Sequence, residues 1–165
     1  MTEAHTATAV IALGSNLGDR AATLERAVAD LDALTDSNIR GVSAWHGTVA
    51  LTLSGRDADK PAYLNGVALL QTGLDPKALL DALHAIEHEH GRERLERWGD
   101  RTLDLDLIAY GELKMSSPDL QIPHPRAHER DFVLAPWLEV QPDAHLTGRG
   151  DVATLLAGLR AAGLP

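Results

Sequence analysis

The amino-acid sequence predicts an α+β fold in which helices pack against an antiparallel sheet. Two segments carry apolar residues at helical spacing and four have the composition of strands. Their order is strand, helix, two strands, helix, strand, followed by an irregular C-terminal third. This order is that of a ferredoxin-like βαββαβ sandwich, with helices on one face of the sheet, plus an irregular C-terminal extension. A chain of 165 residues can bury a real core, so residues 1–165 are predicted to form a single domain.

The first half of the chain contributes three predicted strands and one helix. Residues 7–13 are apolar and partly β-branched, which predicts a strand that ends in a turn at residues 14–18. A helix of roughly 15 residues follows, because apolar residues recur at helical spacing. These apolar residues are Leu24, Ala27, Val28, Leu31 and Leu34. Residues 39–45 and 63–72 predict the second and third strands, and the polar segment 46–61 between them is expected to be a surface loop.

A second helix is expected to begin at Asp75-Pro76, because Asp caps helices and Pro suits the first helical position. Its buried stripe is predicted to consist of Leu79, Leu80, Leu83 and Ile86. Glu87 lies at the edge of that stripe, where a carboxylate needs a partner. His84 and His88 are expected on the solvent side of the same helix.

The C-terminal half is predicted to contain one more main strand and several short elements. In chain order these are a strand at residues 102–109, a turn at 110–112, a short hairpin partner at 113–115, a short helix at 127–135, and a last helix at 152–162 capped by Asp151. Prolines keep residues 118–125 extended and irregular.

Composition and charge exclude several classes of protein. The chain has no Cys, so it has neither a disulfide framework nor thiolate chemistry, which favours a reducing compartment. No apolar run approaches the roughly 20 residues that span a bilayer, and the N-terminus lacks a basic signal-peptide start. The formal net charge of −9 argues against a general nucleic-acid binder. We therefore expect a cytoplasmic monomer that binds small molecules, with no nucleic-acid or membrane partner.

The stretch 97–108 combines carboxylates and guanidinium groups. Asp104 and Asp106 fall on one face of the predicted strand. The opposite face carries Leu103, Leu105 and Leu107. Carboxylates two residues apart on a strand lie roughly 6.5–7 Å apart along it and can converge on one or two hard cations. A solvated strand face is the alternative.

Four arginines come just before or within this stretch and suit phosphate oxygens. They are Arg92, Arg94, Arg97 and Arg101. The alternative is a salt-bridged surface, for which Glu93, Glu96 and Asp100 would supply partners. Trp98 would either stack on a base or anchor this segment. Taken together, the carboxylates and arginines predict a nucleotide polyphosphate site that uses Mg²⁺.

Other candidate sites are weaker. The turn at 14–18 has neither the Lys of a Walker A loop nor a three-glycine dinucleotide motif, which favours a plain strand-to-helix connection. His84 and His88 have the i,i+4 spacing of zinc helices, but position 92 is Arg, so no HExxH motif is completed. His124, fixed between two prolines, is either a donor to phosphate or a packed turn residue.

Tyr63 and Phe132 stand out because aromatic residues make up only 4% of the chain. On pattern alone both are expected in the core, which is the usual place for an isolated aromatic residue.

Residues 96–106 resemble the signature of the 6-hydroxymethyl-7,8-dihydropterin pyrophosphokinase family. The resemblance runs in the family's order over roughly residues 8–140. It includes Gly14-Ser15-Asn16-Leu17-Gly18, Tyr63-Leu64-Asn65, Glu87 followed by Gly91-Arg92, Ile122-Pro123-His124-Pro125, and Arg130-Asp131-Phe132-Val133-Leu134. It implies a folate-pathway enzyme that transfers a pyrophosphoryl group from ATP to the pterin hydroxymethyl oxygen and releases AMP.

The resemblance also implies roles for individual residues. Asp104 and Asp106 would hold two Mg²⁺ ions, with Arg92 and Arg101 steadying the phosphates as further catalytic residues. The ATP-binding residues would be Arg94, Arg97, Trp98, Arg101, Leu107, His124 and Arg130. The pterin-binding residues would be Gly14, Tyr63, Asn65, Phe132 and Asp104, and Glu87 would be a supporting carboxylate.

Three features of the sequence depart from the family pattern. Thr48-Val49-Ala50-Leu51 stands where the family usually has Thr-Pro-Pro and a Gly, His84 stands in place of a common Gln, and the arginine segment is about one residue shorter than in some relatives. Because the 48–61 segment differs, two alternatives stay open. One is pyrophosphoryl transfer to another acceptor, and the other is a nucleotide-binding pseudoenzyme.

Overall fold

A computed structural model describes residues 6–15, 19–48, 51–52, 55–56, 63–91 and 103–162. The helices are α1 (Arg20–Asp32), α2 (Pro76–Gly91), α3 (Asp131–Val140) and α4 (Val152–Ala161), with a 3-10 turn at Ala127–Glu129. The strands are β1 (Ala7–Ser15), β2 (Ser37–Val42), β3 (His46–Thr48), β4 (Leu51–Thr52), β5 (Gly55–Arg56), β6 (Tyr63–Thr72), β7 (Asp104–Tyr110), β8 (Met115–Ser116), β9 (Gln121–Ile122), β10 (His145–Leu146) and β11 (Gly150–Asp151).

The main sheet has the strand order β2–β6–β1–β7, and every neighbouring pair is antiparallel. Strand β3 pairs with the first part of β6, beyond the end of β2. The predicted combination of helices with an antiparallel sheet is therefore confirmed. The third predicted strand, at residues 63–72, is found with the predicted bounds.

Helices cover both faces of the sheet: the two helices of the predicted βαββαβ unit share one face, as predicted, and two C-terminal helices cover the other. Helices α1 and α2 pack on one face, where Leu24, Leu31, Leu79 and Leu83 join Ile11 and Leu105 in a first core. Helices α3 and α4 pack on the other face in a second core that includes Val10, Val67, Ile108, Leu134, Trp137 and Leu156. The physical reason lies in β6, whose residues 65–70 are all buried, as expected for a strand covered on both faces.

The C-terminal third contains two α-helices and two short hairpins, so it is more regular than predicted. A predicted helix at 127–135 is instead a 3-10 turn followed by α3, which continues to Val140 although Pro136 lies inside it. Proline usually disfavours a helix interior, but Pro136 and Trp137 are buried on the second core here. Asp151 occupies the N-cap of α4, yet its side chain makes no capping hydrogen bond and lies 3.4 Å from Nδ1 of His145.

Four further details of the strands differ from the prediction. Strand β1 continues through Gly14 and Ser15, because both residues pair with β6. The strand predicted at 39–45 stops at Val42, and part of the predicted 46–61 loop is strand β3. Residues 113–115 do not form a partner for β7, since β8 pairs with β9.

The break between β2 and β3 is a bend in which Ser43 replaces regular pairing. The Ser43 backbone N–H donates to the Val67 carbonyl at 2.9 Å, and its hydroxyl oxygen accepts from the Val67 N–H at 2.9 Å. The side chain of Trp45 then packs directly over Gly66. A Cβ at position 66 would overlap the Trp45 ring and lie 2.9 Å from Ser43 Oγ.

We expect Gly66→Ala to lower the free energy of unfolding by about 1–3 kcal/mol, because overpacking forces neighbouring side chains or backbone to shift. Chemical denaturation of the purified protein measures this change. Gly47→Ala on β3 is the matched control, since a Cβ there would meet no atom within 4 Å. Equal stability losses in the two variants would contradict a specific role for the Trp45–Gly66 contact.

The described helices include none that is long and apolar enough to span a bilayer.

Candidate active site

Asp104 and Asp106 lie on the second-core face of the edge strand β7. Leu105 and Leu107 alternate with them and are buried in the first core, as the sequence predicted. The Asp106 side chain is 46% exposed, so its carboxylate can reach a ligand while its backbone is fixed in the sheet. The strand therefore presents two carboxylates on one rigid face.

Glu87 supports strand β7 from the first-core face, opposite the two aspartates. It projects from α2, and its Oε2 accepts a hydrogen bond of 2.8 Å from the backbone N–H of Leu105, the residue between the two aspartates. This contact provides the partner that the sequence required for a partly buried carboxylate. His84 and His88 on the same helix are exposed, as predicted.

A row of paired residues leads from Asp104 across the sheet. Gly14 pairs with Asp104 on one side and with Asn65 on the other, and Asn65 pairs with His46. Directly paired residues of antiparallel strands face the same side. Tyr63, two residues from Asn65, shares that side.

Gly14 leaves room for its neighbours. A Cβ at position 14 would lie 2.9 Å from Oδ1 of Asn65 and 3.8 Å from Cδ1 of Tyr63. Because such a contact would be too close, the absent side chain lets the Asn65 amide lie against the backbone of β1.

Arg130 and Phe132 come to this face from the start of α3. Arg130 Nη1 lies 3.7 Å from Asp106 Oδ2, and its Cζ lies 5.8 Å from the centroid of the Phe132 ring. The Phe132 side chain is 36% exposed, so the expectation that it belongs to the core was wrong. The exposed ring lies beside a cation and a carboxylate, so one ligand could contact all three groups.

His124 lies beside the outer edge of β7. Its backbone N–H donates to the Ile108 carbonyl at 2.9 Å, and its Nδ1 accepts from the Arg126 N–H at 3.1 Å. Because Nδ1 is an acceptor, Nε2 carries the proton of the neutral ring. Burial lowers the pKa of His124; Asp106 acts to raise it, and Arg130 and Arg126 lower it further.

A cavity of about 490 Å³ lies next to His124, between the β8–β9 hairpin and the β10–β11 turn. Its lining includes the basic residues Lys114, His128 and Arg149; Lys114 and Arg149 were not among the candidate residues. Their positions in sequence gave no signal, because the β10–β11 turn meets the hairpin only in the folded chain.

Several predicted site residues lie outside the described residues, namely Arg92, Arg94, Arg97, Trp98 and Arg101, together with much of the 48–61 segment. The side chain of Leu107 is 4% exposed and packs in the first core. Its predicted contact with a nucleotide therefore depends on its backbone or on a narrow edge of the side chain.

The described residues fit a magnesium site that uses substrate oxygens as further ligands. In the part of the chain that the structure describes, no three His, Cys, Asp or Glu residues come together as a metal cage. Mg²⁺ typically takes one or two protein carboxylates and completes its shell with water and phosphates. Asp104 and Asp106 supply that number of carboxylates, and the Asp106 side chain is accessible to a ligand beside Arg130.

Several known proteins with similar sequences share one name. Relatives named 2-amino-4-hydroxy-6-hydroxymethyldihydropteridine pyrophosphokinase are 41% identical over 136 residues in Haemophilus influenzae and 41% identical over 147 residues in Pseudomonas aeruginosa. These matches cover 82% of this chain and 82% of the first relative, and 89% of this chain and 88% of the second.

A solved structure of similar fold is Plasmodium falciparum HPPK-DHPS A437G with STZ-DHP. Its TM-score is 0.71 at 13% identity, and the match covers 96% of this chain but only 46% of that longer chain. At this identity the likeness shows the fold alone.

The family model of 7,8-dihydro-6-hydroxymethylpterin-pyrophosphokinase (HPPK) matches residues 10–142. That range contains the carboxylates, Glu87, His124 and Phe132, and it includes residues 48–61. With most of the chain matched by the model and by relatives at about 40% identity, the chain belongs to the HPPK family.

Proposed function

We propose that this chain transfers a pyrophosphoryl group from ATP to the hydroxymethyl group of 6-hydroxymethyl-7,8-dihydropterin. The products would be AMP and the pterin diphosphate, in folate biosynthesis. The observation that carries this proposal is the meeting of two carboxylates, a cation and an exposed aromatic ring on one face of the sheet, in a chain of the HPPK family.

The carboxylates would hold the metal. Bound Mg²⁺, for which we propose two ions, would neutralise charge on the triphosphate and on the reacting oxygens. Asp104 and Asp106 would keep this charge at a fixed place, because β7 is paired with β1 and braced by Glu87. Arg130, 3.7 Å from Asp106, would limit the rotation of that carboxylate and face the nucleotide.

His124 would donate a hydrogen bond to a phosphate oxygen. Its Nδ1 is taken by the Arg126 N–H, so its Nε2–H is the donor. Because burial lowers its pKa, the ring donates as a neutral imidazole near pH 7. Arg92, Arg94, Arg97, Trp98 and Arg101 remain predicted nucleotide residues, with Arg92 and Arg101 closest to the chemistry.

The pterin would lie between Phe132 and Tyr63. A flat heterocycle stacks on exposed rings, and Phe132 offers such a ring beside Asp106. Asn65 would hydrogen-bond the polar edge of the pterin, in the space that Gly14 leaves open. In this orientation the hydroxymethyl group would point toward Asp104, which pairs with Gly14.

The reaction then needs no protein nucleophile. The acceptor oxygen forms a bond to the β-phosphorus of ATP, and the bond from that phosphorus to the bridging oxygen of the α-phosphate breaks. The hydroxyl proton is lost to solvent, and AMP leaves with the bridging oxygen. The residues of this chain position both substrates and offset charge, which is the usual role of a protein in phosphoryl transfer.

We extend the proposal to architecture and context. The antiparallel order β2–β6–β1–β7 supports the ferredoxin-like class, with α3 and α4 as a C-terminal extension that covers its second face. The two cores share one sheet, which supports a single pyrophosphokinase domain over residues 1–165. A cytoplasmic location and a monomeric state stay predictions.

The test is a product assay with purified protein, ATP, Mg²⁺ and 6-hydroxymethyl-7,8-dihydropterin, analysed by mass spectrometry. We expect AMP and the pterin diphosphate in equal amounts. Release of ADP, or of AMP without a pterin product, would contradict the proposal. AMP formation with another hydroxymethyl acceptor alone would support the different-acceptor alternative, and nucleotide binding without turnover would support the pseudoenzyme.

A further inference from the structure

Glu139 joins two parts of the proposed acceptor site that are far apart in sequence. It lies in the last turn of α3, and its Oε1 accepts a hydrogen bond of 3.0 Å from the backbone N–H of Ala44. Its Oε2 forms a hydrogen bond with Nε2 of His46. The Glu139 carboxylate therefore contacts the segment between β2 and β3 at two points, the Ala44 backbone and the His46 side chain.

This segment leads into β3, which pairs with the part of β6 that carries the proposed pterin-binding residues. His46 pairs with Asn65, and Thr48 pairs with Tyr63. The bend itself is fixed on β6 by Ser43, which makes two hydrogen bonds to Val67. A shift of β3 would therefore move the strand against which Asn65 and Tyr63 are aligned.

The other end of α3 carries Phe132. Glu139 follows Phe132 by seven residues, so the two lie on the same helix face, roughly 10 Å apart along its axis. Helix α3 packs against β6 through the second core, where apolar contacts have no directional preference. The two contacts of Glu139 add directional polar interactions to this packing, at the end of α3 away from Phe132.

We propose that Glu139 and His46 are positioning residues for acceptor binding, because they set the distance between Phe132 on α3 and Tyr63 on β6. This inference rests on the proposed function and adds a specific means of holding the pterin. Isolated surface ion pairs contribute little. The backbone hydrogen bond from Ala44 distinguishes this contact, since a charged acceptor on a backbone N–H is among the stronger hydrogen bonds.

The test compares steady-state kinetics of wild type, Glu139→Ala and His46→Ala with both substrates varied. We expect Glu139→Ala to raise the KM for the pterin about 10-fold, with KM for ATP and kcat within about 2-fold, because acceptor binding alone depends on the Phe132–Tyr63 distance. His46→Ala should raise the pterin KM only about 3-fold, since the Ala44 contact remains. The double variant should resemble Glu139→Ala, because the two residues share one interaction.

Matched controls separate positioning from a general loss of stability. Asp143→Ala removes another exposed carboxylate just after α3, and His145→Ala removes an imidazole that lies 3.4 Å from an exposed aspartate on the β10–β11 hairpin. Neither should change the pterin KM by more than about 2-fold. Glu139→Gln retains an acceptor for Ala44 and should keep the pterin KM within about 3-fold of wild type.

Unchanged pterin KM in Glu139→Ala, or an equal rise in the KM values of both substrates, would overturn the positioning role. If Glu139→Ala does not fold, a Glu139→Gln variant that shows the full 10-fold rise would overturn the dependence on the Ala44 contact. A wild-type protein that forms no pterin diphosphate would instead refute the proposed function, so the two failures are distinct.

Discussion

Replacing Asp104 or Asp106 by Ala is expected to lower kcat by about 10²-fold or more. Each change removes one of the two carboxylates proposed to hold Mg²⁺, whose charge stabilisation contributes several kcal/mol to the transition state. The strand should survive, because Leu105 and Leu107 keep their places in the first core and Glu87 still holds the Leu105 N–H. Initial-rate measurements across a range of Mg²⁺ concentrations provide the test.

An isosteric variant and a control variant make this experiment more specific. Asp106→Asn retains the shape of the side chain near Arg130 but removes the charge, so a loss similar to that of Asp106→Ala would identify charge as the needed property. Asp119→Ala, an exposed carboxylate on the β8–β9 turn, is the control and should leave kcat within about 2-fold. Near-normal turnover in both Asp104→Ala and Asp106→Ala would refute the metal assignment.

The sequence was most informative where a side chain's role depends on its immediate neighbours. Alternation alone placed Asp104 and Asp106 opposite Leu105 and Leu107, and the structure confirms this arrangement. The amphipathic pattern of the second helix likewise placed Glu87 at the edge of a buried stripe. Its partner, the Leu105 N–H, is 18 residues away, so the need for a hydrogen bond was predictable but its identity was not.

Contacts between residues far apart in the chain could not be predicted from local sequence patterns. The bend at Ser43 is held by hydrogen bonds to Val67, Trp45 lies over Gly66, and Glu139 meets His46 across 93 residues. The second helix layer was missed for a related reason. A continuous apolar run such as β6 is compatible with burial on both faces, but it does not say which later segment covers the second face.

Phe132 shows why the second helix layer, which the sequence analysis did not predict, matters for the proposed site. An isolated aromatic residue is usually buried, and only the placement of α3 on the sheet shows that this ring is 36% exposed beside Arg130. The family resemblance assigned it to the pterin without that geometry. The exposure now gives a physical basis for the assignment, since burying this ring against a planar ligand would remove apolar surface from water.

Phe132→Ala is accordingly expected to weaken pterin binding by roughly 10- to 100-fold, because stacking of a base on an aromatic side chain contributes about 1–3 kcal/mol. The Kd for a non-hydrolysable ATP analogue should change by less than about 3-fold, since Arg130 keeps its own place near Asp106. Calorimetric titration of the two ligands measures both affinities. The free energy of unfolding should change little, because the ring is partly exposed.

Two controls decide whether the effect comes from stacking. Phe132→Tyr retains a flat ring and should bind the pterin within about 3-fold of wild type, whereas Phe132→Leu retains apolar volume but loses the π face and should resemble the Ala variant. Val42→Ala shortens another apolar side chain of similar exposure, 37%, and should leave both affinities unchanged. Equal losses of pterin and nucleotide affinity in Phe132→Ala would argue that the ring supports Arg130 and the site as a whole. Loss of pterin affinity alone, restored by Tyr but not by Leu, would identify Phe132 as one wall of the acceptor site.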